Sequence, residues 1–136
     1  LSKLITPNIP EAEILTGYSI SNKEDMINAA NKILNMGSKN VLLKGGHLKN
    51  RMIFDILATK KGIRVFSKRK VRTKNVHGTG CTLSSAIATC VSQKKNIFES
   101  CKISLDYVNR AIVFAPRYGK GFGPLNHLVS FNLKKY

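Results

Sequence analysis

Short apolar runs alternate along this chain with stretches of helical spacing, and that alternation predicts an α/β layer fold. Leu4-Ile5-Thr6 reads as the end of a strand, broken by Pro7-Asn8-Ile9-Pro10. Pro10 suits the first turn of a helix, Glu11 and Glu13 favour its positive end, and the helix stops near Gly17. Ser21-Asn22-Lys23-Glu24 reads as a capping box. Met26, Ile27, Ala30, Ile33 and Leu34 follow at helical spacing, and Gly37 ends that helix. Val41-Leu42-Leu43 has the signature of a buried strand and runs into Lys44-Gly45-Gly46-His47. Residues 52–58 and 63–67 predict two further strands with a Lys61-Gly62 turn between them. After His77-Gly78-Thr79-Gly80-Cys81, the residues Leu83, Ala86, Ile87, Cys90 and Val91 make one apolar helix face. A second long helix is expected from about Ile97 to Phe114, and Gly119 to Pro124 form a glycine-rich loop before a short basic end. There is no internal repeat and no low-complexity linker.

Composition narrows the class. At 136 residues and 15.1 kDa the chain has the length of one domain. Its 43% hydrophobic and 22% charged residues argue against disorder. No apolar run approaches the roughly 18 residues of a spanning helix, so no membrane role is expected. Stretches such as Ala111 to Pro116 are too short even for a secretory core segment, and none is expected at the N-terminus. The first residue is Leu1, as in a processed chain or a piece of a longer one.

Charge changes the picture less than its size suggests. Lys and Arg number 23 against 7 Asp and Glu, a net charge of +16 that attracts polyanions without specificity. The basic residues are scattered, as in Lys60-Lys61, Lys68 to Lys70, Lys94-Lys95 and Lys134-Lys135, and no aromatic-interleaved basic strand appears. Asn, which shares AT-rich codons with Lys, is also frequent. Compositional drift therefore explains the charge better than nucleic-acid function, and no specific nucleic-acid partner is expected. The three cysteines Cys81, Cys90 and Cys101 form neither a disulfide framework nor a zinc spacing, which points to a reducing cytoplasm.

The sharpest chemical feature is the loop at 78 to 80, where two glycines flank Thr79 immediately before an amphipathic helix. Glycine lets backbone N–H groups approach a ligand, and a helix start adds unpaired donors and a positive dipole end, which together make an anion hole. A tight strand-to-helix turn reads the same way. The loop is neither a Walker loop nor a dinucleotide fingerprint, because the Gly-Lys-Ser/Thr and the third glycine are absent. Cys81 falls at the first turn, where the dipole favours the thiolate; a small apolar capping residue is the alternative. Lys44 ends a buried strand, where a cation faces the usual ligand crevice of an α/β sheet, or simply meets solvent. Asn8 and Glu11 can present a carboxamide and a carboxylate to hydrated magnesium, or merely cap a helix. His47 and His77 have no partner at metal or triad spacing and read as local hydrogen-bonders, while Cys90 and Cys101 read as core.

Taken together these segments resemble one family. Ile5 to Glu13 resembles the opening of the second half of the ribokinase-like vitamin kinases, and Val41 to Leu48 is similar to their next strand. Thr73 to Ser84, with its His77-Gly78-Thr79-Gly80-Cys81 centre, closely resembles the loop of the hydroxymethylpyrimidine/phosphomethylpyrimidine kinases of thiamine synthesis. Gly121 to His127 looks like their usual ending. Many relatives carry Asp where this branch carries Cys81. The resemblance implies a ribokinase-like three-layer sandwich of which residues 1–136 form only the C-terminal part, because family members are roughly twice this length. It implies ATP and Mg2+ as cofactors, an aminopyrimidine alcohol or its phosphate as small-molecule substrate, and a homodimer when complete. It further implies that Gly78, Thr79, Gly80 and Cys81 surround the transferring phosphoryl group and that Lys44 neutralises phosphate charge. Asn8 and Glu11 would hold magnesium through water, and Thr73 and Asn75 would contact the nucleotide. Pyridoxal kinase activity and a non-catalytic truncated remnant are the competing expectations.

Overall fold

The computed structural model describes residues 2–46, 51–71, 73, 77–116 and 123–129. They form two compact units, Leu1–Lys70 and Val71–Tyr136.

In the first unit, α1 (Ile9–Thr16) and α2 (Lys23–Asn35) precede three strands, β1 (Asn40–Lys44), β2 (Met52–Thr59) and β3 (Gly62–Arg69). The strands form an antiparallel sheet in the order β1-β2-β3. Register follows from burial. Leu43 faces Ile56, and Ile56 faces Val65, so one apolar row lies on a single sheet face. Val41, Leu43, Ile56 and Ala58 on that face join Ile9, Ala12, Met26, Ala29, Ala30 and Ile33 of the helices in one core. Leu42 and Leu57, on the opposite face, are also fully buried.

The strand expected at residues 4–6 is reduced to isolated parallel bridges, Ile5 with Val41 and Asn8 with Lys44. Pro7 lies between them and has no N–H to extend a ladder. The hairpin turn is Lys60-Lys61 rather than Lys61-Gly62, because Thr59 pairs with Gly62. Gly62 opens β3 at φ 124, a value that favours glycine. The helix after residue 20 starts one residue later than the expected capping box. Asn22 is its N-cap and accepts from the Asp25 N–H at 2.9 Å. Asp25 then reaches back to the Ser21 N–H and hydroxyl at 3.0 and 2.8 Å. Asn caps at least as well as Ser, and the later start gives Asp25 both donors of Ser21.

In the second unit, α3 (Thr79–Ser92) packs on α4 (Ile97–Val113). The expected α3 face holds: Leu83, Ala86, Ile87 and Cys90 are buried, and Val91 is half-buried. Cys101, Ile103, Leu105, Val108 and Ala111 are the buried apolar residues of α4, joined by the buried Ser100 and Ser104. Beyond α4, Leu125 is buried, and the Asn126 N–H donates to the Ala111 carbonyl at 3.1 Å. His77 bridges to Pro124. Residues 119–122 of the glycine-rich loop lie outside the described residues, as do His47 and Asn75. Among the described residues no helix is long and apolar enough to cross a membrane.

Candidate functional site

In the first unit, the candidate residues gather where β1 ends. The Lys44 N–H donates to the Pro7 carbonyl at 2.9 Å, which draws the 5–8 segment alongside β1 and sets Asn8 beside Lys44. Asn8 then turns the chain into α1. Its Oδ1 accepts from the Glu11 N–H at 2.9 Å, and its own N–H donates to Glu11 Oε2 at 2.8 Å. This reciprocal box satisfies two donors that a bare helix start leaves open. Asn8 and Glu11 therefore cap α1 whatever else they do. Among the described residues no group of three or more His, Cys, Asp or Glu is set to hold a metal. One carboxylate and one carboxamide form a sparse donor set. That suits magnesium, which keeps several waters, better than an ion caged by protein.

Lys44 is half-buried, Gly45 buried and Gly46 exposed. A side chain on Gly45 could not be accommodated, since its Cβ would run into the Phe54 carbonyl oxygen. The turn is tied down by Asp55, which the sequence reading passes over. Asp55 is 4% exposed and sits opposite Lys44 in the β1–β2 register. Its Oδ1 accepts from the Gly45 N–H at 3.0 Å, and its Oδ2 lies 3.4 Å from Lys68 Nζ. Lys70 Nζ adds a bond to the Gly46 carbonyl at 3.2 Å. A lone carboxylate inside the apolar run Ile53 to Ala58 is the signal that marks Asp55 in the sequence.

In the second unit, Gly78 is the N-cap of α3 and has φ 81, in the left-handed region. Among the described residues no side chain caps this helix, whereas α1, α2 and α4 are capped by Asn8, Asn22 and Asn96. The Gly78 carbonyl accepts from the Thr82 N–H at 2.9 Å and from the Thr82 hydroxyl at 2.8 Å. Thr79, Gly80 and Cys81 thus occupy the first three helical positions. An uncapped first turn of this kind offers backbone donors and the positive end of the helix to an anion. Cys81 is exposed, whereas Cys90 and Cys101 are buried and free. Burial pushes the Cys101 thiol up to about 12, with Cys90 adding to the shift. Thr73 is half-buried, outside any helix or strand.

The fold is that of the ribokinase-like α/β proteins. One such likeness is to the crystallised Bacillus subtilis pyridoxal kinase in its ADP complex: TM-score 0.86 and 30% identity, covering 92% of this chain and 48% of that one. Residues 1–126 match the family described as phosphomethylpyrimidine kinase, and the chain belongs to that family. It is 45% identical over 130 residues to the thiamine biosynthesis bifunctional protein ThiED of Geobacter sulfurreducens, covering 96% of this chain and 26% of that protein. It is 38% identical over 129 residues to the hydroxymethylpyrimidine/phosphomethylpyrimidine kinase of Staphylococcus aureus strain MRSA252, covering 93% and 47%. The chain thus spans about half the length of that kinase, or less of the bifunctional protein.

Proposed function

We propose that the intact gene product carrying these residues is an ATP-dependent kinase that phosphorylates hydroxymethylpyrimidine and then its monophosphate. Residues 1–136 are read as the C-terminal part of its single ribokinase-like domain. The observation that carries this reading is the uncapped α3 start at Gly78-Thr79-Gly80-Cys81 in a chain of this family. Support for ATP comes from the ADP complex of the related Bacillus subtilis pyridoxal kinase. Three free thiols agree with a reducing cytoplasm, and a homodimer is the proposed state of the complete protein.

Phosphoryl transfer is catalysed mainly by positioning and charge stabilisation. The Thr79, Gly80 and Cys81 N–H groups are assigned to the oxygens of the transferring phosphoryl group. Lys44 is assigned to charge on the nucleotide or acceptor phosphate, and Thr73 and Asn75 to the nucleotide. Magnesium, when bound, neutralises phosphate charge; Asn8 and Glu11 would hold it through water. The two acceptors place different demands on Cys81. A hydroxymethyl group must lose its proton as the new bond forms, and the Cys81 sulfur is assigned as the base that takes it. A phosphate oxygen near neutral pH is already anionic and needs no base.

A second reading has a specific observation behind it, since the structural neighbour described above is a pyridoxal kinase. ATP consumption by the intact gene product, measured with the pyrimidine alcohol, its monophosphate and pyridoxal, separates the two. Turnover of the first two supports the proposal. Turnover of pyridoxal alone favours the second reading. No turnover with any of them means a non-catalytic remnant.

A further inference from the structure

Asp55 is a buried carboxylate placed directly across the β1–β2 ladder from Lys44. Directly opposed residues of an antiparallel pair project to the same sheet face, within reach of one another. Opposite charges so placed ordinarily pair. Here they do not: among the described residues no carboxylate lies within 4.0 Å of the Lys44 ammonium. The Asp55 carboxylate is committed elsewhere, with Oδ1 on the Gly45 N–H at 3.0 Å and Oδ2 by Lys68 Nζ at 3.4 Å. Lys68 pairs with Ile53 in the β2–β3 register, so it reaches Asp55 along the diagonal of the same face.

We propose that Asp55 and Lys68 are positioning residues for Lys44. Asp55 fixes the Lys44-Gly45-Gly46 turn through the Gly45 N–H, and Lys68 neutralises Asp55 so that the Lys44 ammonium stays available to a phosphate. The arrangement solves a conflict. A carboxylate is the acceptor best suited to hold the turn, because charged acceptors make the stronger hydrogen bonds. The same carboxylate, left unpaired, would capture the cation one strand away. A second cation on β3 removes that competition. The side chain of Lys68 is 24% exposed and that of Asp55 is 5% exposed, so the pair is shielded from solvent on the carboxylate side. This inference rests on the reading of Lys44 as a phosphate-facing residue.

The test is a set of variants in the intact gene product, read as kcat/KM with ATP and the pyrimidine alcohol. Lys68→Ala should lower kcat/KM roughly tenfold, equivalent to about 1.4 kcal/mol. Lys68→Met, which keeps the apolar stem, takes its place if Lys68→Ala does not fold. Lys68→Arg should keep most of the activity. Adding Asp55→Asn to Lys68→Ala should restore much of the loss, because an amide oxygen still accepts from Gly45 but no longer competes for Lys44. In a Lys44→Ala background, Lys68→Ala should cost nothing further, since the loss runs through Lys44. A Lys68→Ala loss of equal size with and without Lys44 overturns the proposal. So does an Asp55→Asn change that deepens the loss, as a merely structural pair would show. Unchanged rates in Lys44→Ala alone would instead remove the underlying role of Lys44, and this is seen in a separate arm.

Discussion

At the scale of single residues, two neighbouring glycines and one cysteine carry sharp consequences. Gly45 and Gly46 look equivalent in the sequence, but only Gly45 has the β2 backbone pressed against it. An added Cβ there meets a peptide oxygen, which cannot swing aside as a side-chain tip can. Gly45→Ala is expected to destabilise the protein by about 3 kcal/mol or to prevent folding, because an overpacked, rigid contact must displace a strand. Gly46→Ala has nothing within 4 Å of the new carbon. It should stay within about 0.5 kcal/mol of the parent in chemical denaturation. Cys81 differs from the other two thiols by exposure. A thiol reagent at mildly alkaline pH should find one fast group in the folded protein, lost in Cys81→Ser. Cys101 should react only after unfolding, since burial raises it to about 12. If Cys81 is the base proposed above, Cys81→Ala should slow the first phosphorylation by about a hundredfold and the second far less. Equal losses in both steps would leave Cys81 with a positional role in the anion hole.

At the scale of elements, helix starts decide both stability and chemistry. Among the described residues, three of the four helices begin with an Asn that accepts from the N–H three residues on. Replacing Asn96 by Ala should cost about 1 kcal/mol in thermal or chemical denaturation, the usual worth of such a cap. The start of α2 adds a pH term. The Ser21 N–H, chiefly, and the Ser21 hydroxyl hold the Asp25 carboxyl below its ordinary range. A depressed folded-state value means that the unfolded chain binds the proton more readily. The contribution is therefore present above the ordinary carboxyl range and lost as pH falls through the folded value. Asp25→Asn should lower stability at neutral pH, and its difference from the parent should vanish in acid. A difference that persists unchanged at low pH would show that charge at Asp25 contributes nothing. The remaining helix, α3, starts at Gly78 with no side-chain cap among the described residues, and that turn is the one assigned above to the phosphoryl group.

At the scale of the whole molecule, charge and length matter most. A net charge of +16 on 136 residues should bind duplex DNA at low salt. That affinity should fall steeply with salt and show no sequence preference, as counterion release dictates. Binding that survives physiological salt with a preferred sequence would reopen the nucleic-acid reading set aside on the scatter of the basic residues. The chain spans 47% of the length of the Staphylococcus aureus kinase, so the proposed activity is to be assayed on the gene product as the cell makes it.

Much of this was legible from local pattern. The helix spacing of Met26, Ala30 and Ile33 and of Leu83, Ala86, Ile87 and Cys90 gave the buried faces of α2 and α3. Apolar periodicity is a local signal that burial reads out directly. The motif residues 78 to 81 also sit at a helix start as expected. Other features were decided only when distant segments met. The strand at residues 4–6 shrank to two bridges beside β1, and the turn after β2 moved to Lys60-Lys61, because pairing register is set by the partner strand. The competition between Ser21 and Asn22 for the α2 cap was settled by which start gives Asp25 its donors. Asp55 shows the limit best. Its neighbours in sequence are Phe54 and Ile56, yet its partners are Gly45, ten residues before it, and Lys68, thirteen after it. A sequence states which groups exist and which faces they favour. Whether a buried charge finds its partners depends on strands packed side by side, and only the folded chain supplies those distances.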